Sequence, residues 1–70
     1  MNFILTVEYE SEEIILRVTN QFEIESTIME ENTTRFKLAC SSPLFKYEIL
    51  NKSEGMDRIE KLKTYYGIIL

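Results

Sequence analysis

The 70-residue chain has no histidine, one cysteine (Cys40), one proline (Pro43) and two glycines. Without histidine it lacks the side chain most often used for general acid–base work. One cysteine cannot close an internal disulfide, and one cysteine with no histidine cannot build a Cys/His zinc site. Only one aspartate, Asp57, is present, and no loop has the oxygen-ligand spacing of a calcium-binding hand. No apolar run approaches the length of a membrane-spanning helix. The first residues, Met1-Asn2-Phe3-Ile4-Leu5-Thr6-Val7, contain no basic residue and only three consecutive apolar ones, unlike a secretory leader. The expected location is therefore the cytoplasm, of a bacterium or of an infected host cell. Alanine and glycine are scarce while Ile, Glu, Lys and Asn are plentiful. That bias matches an AT-rich genome, such as that of a low-GC bacterium or its phage.

These absences argue against catalysis. Paired carboxylates can act without histidine, but the clustered acids fall on connections, where no pocket is expected. The expectation is a protein that is not an enzyme, with no cofactor and no metal. Seventy residues form one domain, residues 1–70. A domain this small buries only about 60% of its unfolded surface, so a well-packed core or self-association must hold it together. The hydrophobic fraction of 44% is that of a folded chain.

What is present is period-two alternation, the pattern of half-buried strands. It runs through Phe3, Leu5, Val7 and Tyr9, then Ile14, Leu16 and Val18. It continues through Phe22, Ile24, Ser26 and Ile28, then Phe36, Leu38 and Cys40, then Phe45, Tyr47 and Ile49. The alternation predicts strands over 2–9, 14–19, 22–28, 34–40 and 45–50. Short connections at 10–13, 19–21, 29–33 and 41–44 predict antiparallel neighbours. Pro43 falls in the last of these, where its missing N–H is harmless. A register that keeps apolar faces together pairs Leu5 with Val18, Val7 with Leu16 and Tyr9 with Ile14. On the outer face it sets Arg17 opposite Glu23 and places Lys37 between Glu25 and Glu48, pairs of opposite charge.

The remainder predicts a helix over 54–66. Ser53 is a candidate N-cap, and Met56, Ile59, Leu62 and Tyr66 recur at helical spacing. Glu54–Arg58 and Asp57–Lys61 are i,i+4 pairs with the acid first. Gly67 suits a left-handed cap, while Gly55 weakens the first turn. The fold class is α+β: a five-stranded antiparallel meander with one C-terminal helix packed on it. The sheet is either open and curved or closed as a small barrel with the outline of SH3-like or Sm-like domains. Asn32-Thr33-Thr34 and Asn51-Lys52-Ser53 match the N-glycosylation pattern, which carries no weight without a secretory leader.

The net charge of −4 is divided unevenly. Residues 1–34 carry eight glutamates against Arg17 alone, a balance of −7, and residues 35–70 carry seven cations against four acids, a balance of +3. A meander sets its first and third connections at one end of the sheet. Glu10, Glu12, Glu13, Glu30 and Glu31 then form an acidic pole, with Asp57 nearby, as the candidate partner-binding residues. Such a pole steers a basic surface; as bland turn residues the same acids confer solubility and favour a helix N-terminus. Cys40 reads as a small buried hydrophobe. Arg35, Lys37 and Lys46 read as cross-strand partners of acids, because Phe36, Phe45 and Tyr47 turn inward and leave no aromatic face for nucleic acid.

The leading functional reading is a small non-enzymatic protein-binding module. A phage-encoded inhibitor or modulator of a host or defence protein is one such role, reached through the acidic pole and a basic surface on the partner. The alternative is an assembly subunit that forms homo-oligomers through its edge strands or its apolar tail, Ile68-Ile69-Leu70. A nucleic-acid-binding small barrel ranks third, since an acidic chain displaces few counterions from a phosphate backbone. No membrane partner is expected.

Overall fold

A computed structural model describes residues 2–25, 31–40 and 43–68. Among these residues four strands and two helices follow in order: β1 (Phe3–Tyr9), β2 (Glu13–Asn20), α1 (Gln21–Glu25), β3 (Thr33–Leu38), β4 (Tyr47–Asn51) and α2 (Lys52–Tyr66). The strands form one open antiparallel sheet in the order β3-β1-β2-β4.

The β1–β2 hairpin lies at the centre in the register that the alternation demands. Leu5 faces Val18, Val7 faces Leu16 and Tyr9 faces Ile14. Glu10 N–H donates to the Glu13 carbonyl at 2.9 Å and closes the turn. Leu5, Thr6 and Val7 are consecutive and all buried, so β1 is covered on both faces. That is the environment of a central strand. Phe3-Ile4-Leu5-Thr6-Val7, uncharged until Glu8, is its trace in the sequence.

The five-stranded meander is corrected to four strands in a different order. Residues 21–25 of the expected third strand are α1, and residues 26–28 lie outside the described residues. The Asn20 side chain accepts the Glu23 N–H at 2.9 Å, a local bond that favours a helical turn over extension. Topology gives the same answer. Both β2 and β3 are antiparallel to β1, so they run in the same direction. The dozen residues between them must return the chain to the starting end, and a crossover of about that length is what parallel strands need. Its Ile24 is buried apart from the main core, while Phe22 is 82% exposed.

The core lies on the other face of the sheet. Leu5, Val7, Ile14, Leu16, Val18, Phe36 and Leu38 meet Ile59 and Leu62 of α2, with Phe3, Tyr9, Cys40, Phe45, Leu50, Tyr66 and Ile68 packed around them. Each fully buried Leu, Ile or Val contributes about 1.5–3 kcal/mol. Helix α2 packs over β2 and β4. Its buried stripe is Gly55, Ile59 and Leu62 with Tyr66 partly covered, and Met56 is exposed. Gly55 occupies the place expected for Met56 because the helix lies directly on β2; a Cβ at position 55 would sit 2.7 Å from the Ile14 Cβ.

The helix and its cap begin two residues earlier than expected. Asn51, rather than Ser53, accepts the Glu54 N–H, at 2.9 Å. At the other end Gly67 adopts φ 65°, and the N–H groups of Gly67 and Ile68 donate to the carbonyls of Thr64 and Lys63. Asp57 pairs with Lys61 at 3.0 Å. Arg58 turns away from Glu54 and forms a two-pronged bridge to Glu48 on β4, both contacts 3.2 Å, with its guanidinium 5.4 Å from the centre of the Phe45 ring. Across the crossing from β3 to β4, the Tyr66 hydroxyl accepts the Leu44 N–H at 2.8 Å and ties that segment to the end of α2. Among the described residues no helix is long and apolar enough to cross a membrane.

Candidate functional site

Helix α2 covers one face of the sheet, and the opposite face is covered only in part. Its residues follow from the strand alternation. Row by row across β3, β1, β2 and β4, they are Thr33–Glu8–Ile15–Ile49, then Arg35–Thr6–Arg17–Tyr47, then Lys37–Ile4–Thr19. Helix α1, entered directly from β2, stands at the Ile4–Thr19 end.

Strand β4 is turned over relative to expectation. Tyr47 and Ile49, read as core residues, project from this outer face and are 50% and 49% exposed. Leu50, opposite Ile14, points to the core instead, and Glu48 beside it reaches Arg58. A shift of one residue exchanges the faces of an entire strand. Here the start of α2 at Lys52 makes the choice, because it brings Leu50 and Glu48 under the helix. The charge pairs change as well. Arg17 bridges Glu8 at 3.7 Å and lies 5.5 Å from the centre of the Tyr47 ring, rather than pairing with Glu23. Lys37 lies opposite Ile4, not between Glu25 and Glu48.

The acids expected to form a pole fall as follows. Glu10 and Glu12 stand in the β1–β2 turn, and Glu13 opens β2. Glu31 precedes β3, whose Thr33 lies opposite Glu8, and the Asn32 carbonyl accepts the Tyr9 N–H at 3.0 Å. Glu10, Glu12, Glu13 and Glu31 therefore share one end of the sheet, and all four are exposed. Glu30 lies outside the described residues. Strand β4 also ends here, with Asn51 opposite Glu13, so Glu54 in the first turn of α2 adds a carboxylate to the same end. Asp57 is engaged with Lys61. Among the described residues no three carboxylate or thiol side chains converge closely enough to hold a metal ion.

Directly beside this acidic end, on the outer face, lie Ile15 and Ile49 as cross-strand neighbours, with Tyr47 next along β4. Alternation alone misses this apolar strip, because it turns both β4 residues inward. The trace that places it is the pair Glu48 and Leu50. Putting the charge toward a cation on the helix and Leu50 under the helix requires Tyr47 and Ile49 to face out. Cys40 is half-buried against the core as a free thiol. Tyr65 is exposed and meets Tyr66 edge to face, with ring centres 4.9 Å apart.

The arrangement offers surface recognition: carboxylates on turns, an apolar strip next to them, and a β4 edge that pairs with no further strand among the described residues. No family model matches the chain, and no curated protein or solved structure is significantly similar to it.

Proposed function

We propose that this chain is a small non-enzymatic module that binds another protein through the acidic end of its sheet and the apolar strip beside it. One observation carries the reading: Glu10, Glu12, Glu13 and Glu31 gather at the end of the sheet where Ile15, Tyr47 and Ile49 lie on the open face. Exposed apolar residues rimmed by charge are the usual composition of a protein-binding surface. The carboxylates steer a basic partner surface and set the salt dependence of the encounter. Tyr47 and Ile49 supply the area that excludes water. Inhibition or modulation of a host protein by a phage-encoded chain is one biological role compatible with such a module.

The test is an affinity capture from lysate of the source cell, repeated with two variants. One variant changes Glu10, Glu12, Glu13 and Glu31 to Lys; the other is Tyr47→Ala with Ile49→Ala. A stoichiometric partner that dissociates as salt rises, and that neither variant retains, is the expected result. The circular dichroism of both variants should match that of the parent. A partner held equally well by both variants refutes the reading.

The outer edge of β4, which pairs with no further strand among the described residues, favours a second reading, self-association by strand pairing between copies. Light scattering that finds a monomer at high micromolar concentration, at low and high salt alike, eliminates it.

A further inference from the structure

At the far end of the outer face from the acidic turn, α1 and the sheet flank an open groove of about 350 Å³ lined by Ile4, Gln21, Ile24, Arg35 and Lys37. We propose that this groove binds a small phosphate monoester whose organic part is apolar or planar. Nothing in the protein-binding reading requires it, and it uses none of the same residues.

The argument starts from the cations. Arg35 and Lys37 are alternate residues of β3, so both side chains leave the same face of the sheet. Among the described residues neither has an ion pair or a hydrogen bond. Arg17, Arg58, Lys61 and Lys63 each have an acidic partner, whereas Arg35, Lys37, Lys46 and Lys52 have none among the described residues. What sets Arg35 and Lys37 apart, in a chain of net charge −4, is that these two unpaired cations line one groove together. Placing like charges side by side is unfavourable unless an anion joins them. Their chemistries are complementary. Arginine offers a planar fork of donors that matches phosphate oxygens, and lysine adds a mobile point charge.

Charge matching selects the anion. A phosphate monoester carries about −1.5 to −2 at neutral pH, the charge that Arg35 and Lys37 together offset. A carboxylate or sulfate ester, with a single negative charge, leaves one cation uncompensated. The remaining walls select the organic part. Ile4, half-buried, and Ile24, 5% exposed, supply the apolar part of the lining. The Gln21 amide can donate to and accept from a polar edge of the ligand. The volume falls within the range of small-molecule sites, about 300–1,000 Å³.

The experiment is an amide-resolved NMR titration of the full chain with phenyl phosphate, phenyl sulfate, inorganic phosphate and a short single-stranded oligonucleotide. Phenyl phosphate should give saturable shifts centred on Ile4, Gln21, Ile24, Arg35 and Lys37. It should bind about tenfold or more tightly than phenyl sulfate or inorganic phosphate, since each comparison removes either a charge-assisted contact or the apolar contact. The double variant Arg35→Gln with Lys37→Gln should lose binding by about tenfold or more while its other amides stay in place. Absence of saturable shifts, or equal affinity in the double variant, overturns the site. Equal affinity for inorganic phosphate overturns the ligand class. Tighter binding of the oligonucleotide, with shifts spreading to Arg17 and Tyr47, replaces it with a nucleic-acid surface.

Discussion

Gly55→Ala is a substitution for which helix propensity and packing predict opposite signs. Within a helix, alanine is favoured over glycine by about 0.8–1.0 kcal/mol, so α2 in isolation gains stability from the change. In the folded protein the new Cβ lies 2.7 Å from the Ile14 Cβ, 2.9 Å from its Cδ1 and 3.2 Å from its Cγ1. A rotamer change at Ile14 can move the last two atoms but not the first, whose position is set by the β2 backbone. Restoring an ordinary carbon–carbon separation of about 3.5–4.0 Å requires the start of α2 to retreat by roughly 1 Å. The helix begins at Lys52, directly after β4 ends at Asn51, so no linker absorbs the shift. Leu50 and the Glu48–Arg58 bridge move with it. Overpacking costs about 1–3 kcal/mol, and a 2.7 Å approach between two Cβ atoms fixed by their backbones belongs to the upper part of that range, about 2–3 kcal/mol. After the propensity gain, a net loss of about 1–2 kcal/mol remains. At about 4–8 °C per kcal/mol for a domain this size, the melting temperature falls by roughly 5–15 °C. Urea and thermal unfolding followed by far-UV circular dichroism read this directly. An alanine variant as stable as the parent, or more stable, refutes the close packing of α2 on β2.

Asn51→Ala should cost about 1 kcal/mol of unfolding free energy through loss of the cap to Glu54 N–H, whereas Ser53→Ala should change it by less than about 0.5 kcal/mol; the reverse order would restore Ser53 as the cap. Thr6 is only 4% exposed, and its buried hydroxyl has no hydrogen-bond partner among the described residues, so Thr6→Val should raise stability by about 1 kcal/mol in urea unfolding, and a loss would show that the hydroxyl is satisfied. Arg58→Ala should cost more than Glu48→Gln, because it also removes the guanidinium from the Phe45 ring. Both effects should stay near about 1 kcal/mol, and the bridge's share should shrink in high salt, since the two side chains are roughly one-third exposed; equal losses at every salt concentration would count against an electrostatic origin.

The features legible in the sequence are those set by neighbours along the chain. The β1–β2 register follows from period-two alternation on either side of a short turn, and a slip of one residue would expose Leu5, Val7, Leu16 and Val18. The body of α2 follows from the spacing of Ile59, Leu62 and Tyr66 and from Gly67 as a stop. The gathering of Glu10, Glu12, Glu13 and Glu31 at one end needs little more than topology. The hairpin turn and the entry to β3 meet there because β1 and β3 are antiparallel.

Tertiary structure alone decided the rest, because alternation assigns a residue to a face without naming the strand beside it. Phe22 and Ile24 alternate as well as any strand. The Asn20 cap and the need to return the chain from β2 to β3 make that stretch a helical crossover. Tyr47 and Ile49 alternate in step with Phe45, yet the direct junction with α2 turns Leu50 inward and leaves them on the open face. Arg35 and Lys37 line a groove for the same reason: α1 lies where a strand and its glutamates were expected. Local pattern determined which residues are apolar-faced. The pairing of segments distant in sequence determined which faces are covered, and so which residues are free to bind.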